Sequence, residues 1–182
     1  MHIIQRAAML MSALVFAAAA AAADKPYAGQ QTRSIKALSD QEIADYLHGN
    51  GMGLSKVAEL NHYPGPRHVL DQAGDLGLSP AQLEKAGEIW QAMNVKARTR
   101  GETIVAKETV LETSFSSGVA TPADTRAVLD ELAQLQADLR YTHLSAHLAM
   151  RSVLSVDQIA KYDALRGYAD AVMPTYHQRM RH

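Results

Sequence analysis

The residues in this chain whose types and spacing best suit chemistry are His143 and His147, with Met150 three residues further on. Imidazoles at i and i+4 share one face of a helix and can bind a single metal ion, and a thioether beyond them adds a soft ligand suited to copper or nickel. Further ligands would come from elsewhere, with His48, His62 and His68 as the available imidazoles. Leu144 follows His143, so the HExxH pattern of zinc hydrolases is not met and a hydrolase reading lapses. The same residues also read as a hydrogen-bonded histidine at the core edge, with the methionine as core filling. No nucleophile elbow, carboxylate pair or cofactor fingerprint accompanies them, which argues against an enzyme.

These residues need a helix to position them, and the stretch 121–158 supplies it. Thr121 is placed as an N-cap, Pro122 is pre-set for the first helical position, and Asp124 suits the first turn. Val128, Leu132, Leu135, Leu139, Ala146, Ala149 and Val153 recur at steps of three and four, the mark of one apolar face. No Gly or Pro interrupts the run after Pro122, which predicts a helix of roughly 30 residues. His143 and Met150 fall within the apolar face and His147 at its border. A second strip, Tyr141, Leu144 and Leu148, falls on roughly the opposite side and is flanked by Arg140 and Arg151. A helix apolar on two sides needs two partners. The second strip therefore packs under another element, forms a dimer contact, or belongs to a shallow surface that holds client proteins.

The partner helix is predicted to start at Leu78-Ser79-Pro80-Ala81-Gln82, with Ser79 as N-cap, Pro80 at N1 and Gln82 at N3. Leu83, Ala86, Trp90, Met93, Ala97, Ile104, Leu111 and Phe115 follow at near-heptad spacing. Gly101 lowers helix propensity by ~1 kcal/mol and lies close enough to that seam to permit a close backbone approach. Ser116-Ser117-Gly118 ends the helix, and the Thr121 helix returns antiparallel to make a long hairpin. Leu154-Ser155-Val156-Asp157-Gln158 repeats the starting device and opens a last helix, which Pro174 is expected to end. Upstream, Ser39 and Glu42 read as the capping box of a short helix, and 49–53 as a glycine-rich turn. A helical piece over 54–60 follows. Tyr63-Pro64-Gly65-Pro66 stops that piece, and one helix is then expected from Pro66 to Leu76, closed by Gly77. No strand-like alternation occurs, so the fold class is all-α: a long antiparallel helical hairpin with flanking shorter helices.

Composition bounds the function. The first 23 residues have a weakly positive start, an alanine-rich apolar run and an Ala21-Ala22-Ala23 cleavage site, the pattern of a secretory signal peptide. An uncleaved N-terminal anchor stays open as the alternative. Residues 24–37 read as a mobile tail, 38–173 as a single domain and 174–182 as a basic tail. The chain has no cysteine and therefore no disulfide or thiolate chemistry, which fits a bacterial periplasm. Eighteen basic against nineteen acidic residues, with no basic block, argue against nucleic acid and anionic membranes as partners.

The two Leu-Ser-x-x-Gln segments, Leu78-Ser79 with Gln82 and Leu154-Ser155 with Gln158, resemble the LTxxQ motif pair of the Spy/CpxP family. Serine replaces the motif threonine in both copies and keeps the capping hydroxyl. The resemblance covers about residues 38–168, and the stretch 51–68 is similar to that of family members described as periplasmic heavy-metal sensors. What it implies is a bent helical homodimer, periplasmic, acting in envelope stress. Some members are ATP-independent chaperones, some modulate sensor kinases and some bind transition metals. The expected function is accordingly a non-enzymatic stress protein that binds unfolded or misfolded clients through Tyr141, Leu144, Leu148, Arg140 and Arg151, requiring no cofactor. The rival is a metal sensor or resistance protein in which His143, His147 and Met150 bind Ni, Co, Cu or Zn and signal to a membrane partner.

Overall fold

Two capping boxes start the helices that frame the protein. In a computed structural model describing residues 25–168, the Ser79 hydroxyl accepts from the Gln82 backbone N–H, and the Gln82 side chain accepts from the Ser79 N–H at 3.0 Å. Ser155 and Gln158 make the same pair of bonds. Each box satisfies two of the donors that a helix start leaves unpaired. The expected signal peptide (1–23) and C-terminal tail (174–182) lie outside the described residues.

The chain divides after Ser39. In the first unit, residues 25–39 form successive turns, closed by bonds such as Gln30 N to Tyr27 O and Leu38 N to Ile35 O. The described part of the second unit, 40–168, consists of helices joined by turns, and no strand occurs among the described residues. Its elements are α1 (Asp40–His48), α2 (Lys56–Glu59), α3 (Pro66–Asp71), α4 (Ala73–Leu76), α5 (Pro80–Ser116), α6 (Pro122–Arg151) and α7 (Val156–Leu165). Helices α5 and α6, of 37 and 30 residues, pack as an antiparallel pair. Thr121 caps α6 through the Asp124 N–H, and Lys107 pairs with Glu131 between the two arms.

Two differences from the sequence expectation have local causes. The single helix expected from Pro66 to Leu76 is broken at Gln72, whose backbone leaves the helical region (φ −111°, ψ 18°). Helix α7 stops at Leu165, well before Pro174, with Gly167 in the left-handed region.

The core comes in two blocks along the hairpin. One joins Val69, Leu76, Ala86, Met150, Leu154 and Tyr162, sealing α3, α4 and α7 against the start of α5 and the end of α6. The other joins Ala97, Ile104, Leu132 and Leu139, with Tyr46 and Leu54 packed against it. The heptad seam of α5 is thus buried at Ala86, Met93, Ala97 and Ile104, with Trp90 half-buried, whereas Phe115 near the tip is 61% exposed. Helix α1 crosses α5 at Gly101, where a Cβ would stand 2.0 Å from the Tyr46 carbonyl oxygen. Asn94 and Arg98 side chains donate to the His48 and Leu47 carbonyls, satisfying acceptors that the end of α1 leaves free. This crossing fixes the loop after α1 over the gap between the two core blocks.

Candidate functional site

That gap opens as a cleft of about 610 Å³. Helix α5 contributes Trp90, Met93, Asn94 and Arg98, and α6 contributes His143 and His147. The end of α1 and its loop add His48, Gly49, Asn50 and Gly51; Glu59 comes from α2, and Gly65 to His68 from the start of α3. Along α5 and α6, Trp90, Met93, Asn94, His143 and His147 fall between Ala86/Met150 of one core block and Ala97/Leu139 of the other, and Arg98 stands just past Ala97.

His147 is held in one orientation. Its Nδ1 donates to the Tyr63 carbonyl oxygen at 2.8 Å, with Glu59 Oε2 at 3.7 Å from the same nitrogen. A carbonyl can only accept, so Nδ1 carries the proton and a neutral ring keeps its lone pair on Nε2. The backbone of Gly65 passes beside that edge of the ring: a Cβ there would meet His147 Cε1 at 3.0 Å and Nε2 at 3.3 Å. His143, one turn earlier, is 2% exposed, and its Nε2 is buried without a hydrogen-bond partner. Burial first, and the neighbouring His147 second, push the His143 imidazole below its ordinary value. His68 is lowered as well, by burial and then by the Arg166 charge, opposed by Glu59 and Asp71. Unprotonated imidazole is the form that binds metal.

Glu59 anchors this arrangement from below. Its Oε1 accepts from Tyr162 Oη at 2.5 Å, from Arg166 Nε at 3.2 Å and from Tyr168 Oη at 3.3 Å. Tyr162 Oη in turn accepts the Gly65 N–H at 3.2 Å, and burial first, then the Glu59 bond, holds the phenol well above its usual pKa. The strap from α2 to α3 is therefore tied to α7 and to His147 through one carboxylate.

The structure brings His143 and His147 together on one wall, and it adds His48 and His68 to the same cleft. Met150 does not line the cleft; it is 0% exposed in the core block against Val69 and Tyr162. His62 turns elsewhere, its Nδ1 2.6 Å from Asp163 Oδ2. Among the described residues, no group of three or more histidine or acidic side chains stands close enough to hold a metal ion. Of the second strip, Tyr141 and Leu148 are 68% and 54% exposed, and Leu144 is half-buried. Arg140 is exposed, while Arg151 lies over the Tyr63 ring, 4.5 Å from its centroid, and donates to the His62 carbonyl.

Glu59, Met93, Trp90 and Arg98 were not singled out as site residues by the sequence. A carboxylate in a four-residue helix has no periodicity to mark it, and the α5 residues read there only as packing positions or a polar face. No described helix is long and apolar enough to cross a membrane. Comparison of the chain with protein-family models, with curated proteins and with solved structures finds no match.

Proposed function

We propose that this protein is a non-enzymatic, exported helical protein of Spy/CpxP type that binds a divalent transition metal through His143 and His147. In this reading it works as a homodimer in the periplasm and reports metal to a membrane partner. The observation that carries it is the His143 Nε2: a buried imidazole nitrogen with no partner, one turn from a second imidazole whose Nδ1 is already committed to Tyr63. Leaving a buried polar atom unpaired costs about 1–3 kcal/mol, which a ligand recovers on binding. The backbone bond at His147 Nδ1, with Glu59 behind it, is the outer-shell arrangement that fixes a metal-binding tautomer. Imidazole donors suit nickel, cobalt, copper and zinc. The two rings supply two positions, and the remaining positions are filled from the cleft. Met150 is left out of this donor set because it packs in the core.

Calorimetric titration of the protein with each of the four ions, repeated on His143→Ala and His147→Ala, tests this reading. Stoichiometric binding to the wild type that either substitution weakens at least tenfold is expected. Wild-type heats equal to those of a His143→Ala/His147→Ala double variant would sink the metal site.

A second reading, client binding, is favoured by a separate observation: Tyr141 and Leu148 leave a large part of their apolar surface in water on one side of α6. Broad, weak contacts of that kind suit many partners and release without ATP. Suppression of client aggregation in the absence of metal, lost in a Tyr141→Ser/Leu148→Ser double variant, would support it. Unchanged suppression by that variant would exclude this strip.

A further inference from the structure

We propose that the cleft takes its metal as a complex with a small carboxylate-bearing chelator, His143 and His147 donating to the metal and Arg98 pairing with a chelator carboxylate. The inference rests on the metal reading above and specifies what else occupies the site. Size is the first argument. A volume of about 610 Å³ lies in the range of small-molecule pockets, roughly 300–1,000 Å³. It is many times the roughly 30 Å³ that one water occupies in the liquid, far more room than a bare ion and a few waters need.

Charge is the second argument. The one acidic side chain lining the cleft, Glu59, is already compensated by Arg166 at 3.2 Å and by two phenol hydroxyls. Arg67 is paired with Asp71 at 3.0 Å and lies 5.6 Å from the Trp90 centroid. Arg98 is different: its Nε donates to the Leu47 carbonyl, and its outer nitrogens have no carboxylate partner among the described residues. Arg98 thus sets an exposed guanidinium with no carboxylate partner at the rim of the cleft, which favours an anionic metal chelate over a bare dication. A guanidinium presents paired donors that match a carboxylate. The third argument is coordination: two imidazoles leave at least two positions of a four- to six-coordinate ion for a chelator to fill.

The test is calorimetry on the purified protein with nickel(II) in a non-coordinating buffer, with the 1:1 nickel–citrate complex and with the 1:1 nickel–nitrilotriacetate complex, both of them anions. At least one complex is expected to bind tenfold or more tightly than the bare ion, and to carry its chelator through gel filtration with the protein. In Arg98→Gln that advantage should disappear. Bare nickel binding as tightly as both complexes, or chelators that strip the metal from the protein, would overturn the inference while the metal reading stands. If neither bare nor chelated nickel binds, both fall. The wild-type comparison decides the matter even if Arg98→Gln loosens α1 through its bond to Leu47.

Discussion

The side-chain amides of Gln82 and Gln158 bond to each other in both directions, Gln82 Nε2 donating to Gln158 Oε1 at 2.8 Å and Gln158 Nε2 to Gln82 Oε1 at 3.1 Å. Each Oε1 also accepts the N–H of its own capping serine. The spare amide hydrogens reach the Val153 carbonyl from Gln82, and more distantly the Leu76 and Gly77 carbonyls from Gln158. Two devices that each start a helix thus also clamp the starts of α5 and α7 to one another, beside the core block under the cleft. Glutamine serves here because it offers an acceptor to the cap and donors to the neighbour at once.

Gln82→Glu separates the two roles. Glutamate is as good as glutamine in a capping box, so a residue that only capped would tolerate it. It cannot donate to Val153 or Gln158, and it sets a carboxylate against a carbonyl and an amide oxygen. Chemical denaturation should show a loss of about 2 kcal/mol. The Gln82→Ala and Gln158→Ala losses should fail to add, by about 0.5–1 kcal/mol or more. A neutral Gln82→Glu would reduce the pair to ordinary capping.

The helix starts and the hairpin were legible in the sequence because they rest on local chemistry: a serine, proline and glutamine at fixed spacing, and an apolar period that nothing interrupts for 30 residues. The glutamine clamp was not, since capping already accounts for both residues. The site was half legible. His143 and His147 share a helix, so their spacing alone places them on one face. His48, His68 and Glu59 reach the cleft only through the packing of α1, α2 and α3, short elements whose positions depend on contacts far along the chain. Met150 shows the opposite error. Its spacing from the histidines suits a ligand, and it shares the His143 face, but two turns further along the helix that face meets Val69 and Tyr162 in the core block instead of the cleft.

Gly101→Ala and Gly87→Ala make a matched pair on one helix. Both replacements gain about 1 kcal/mol of helix propensity. A Cβ at position 87 meets nothing within 4 Å, whereas at position 101 it would stand 2.0 Å from a backbone oxygen of α1. Gly87→Ala should raise the melting temperature by about 2–4 °C. Gly101→Ala should lower it, by about 4–8 °C for a net loss near 2 kcal/mol, because α1 must move as a body to relieve the clash. Increased hydrogen exchange across 40–48 in Gly101→Ala alone would locate the damage. Equal effects of the two substitutions would mean that α1 does not need the close crossing.

Tyr162→Phe and Tyr168→Phe test the carboxylate hub. The buried Tyr162 hydroxyl serves two partners, Glu59 and the Gly65 N–H, while Tyr168 makes a 3.3 Å bond to the same Glu59 oxygen and is only half-buried. Removing the first leaves a buried donor unpaired and should cost about 1–3 kcal/mol; removing the second should cost under about 1 kcal/mol. If the strap over 63–66 orients His147, the Tyr162 variant should also weaken metal binding, by about tenfold or more. Reversal of the two stability losses would move the hub's weight from Tyr162 to Tyr168.

The metal-free protein should lose stability in mild acid through His143. Its folded pKa lies below the ordinary 6.5, chiefly because the ring is buried and secondarily because His147 stands one turn away. The other titratable or charged groups lining the cleft are His48, His68, His147, the compensated Glu59, the Asp71-paired Arg67 and the Arg98 guanidinium, so no free carboxylate waits to stabilise an imidazolium. Protonation would also place a buried Nε2–H where no acceptor is bonded to that nitrogen. The unfolded chain therefore binds the proton more readily than the folded one. The contribution of His143 is fully present above pH 6.5 and is lost as the pH falls toward and through the lower folded value. Stability measured by denaturant at steps from pH 7.5 to 5 should fall below pH 6.5, with a slope of at most about 1.4 kcal/mol per pH unit from this group alone. His143→Gln, which keeps a polar side chain that does not titrate, should flatten the fall. An unchanged slope in that variant would mean that other groups carry the acid sensitivity and that the buried imidazole takes up its proton at the ordinary pH.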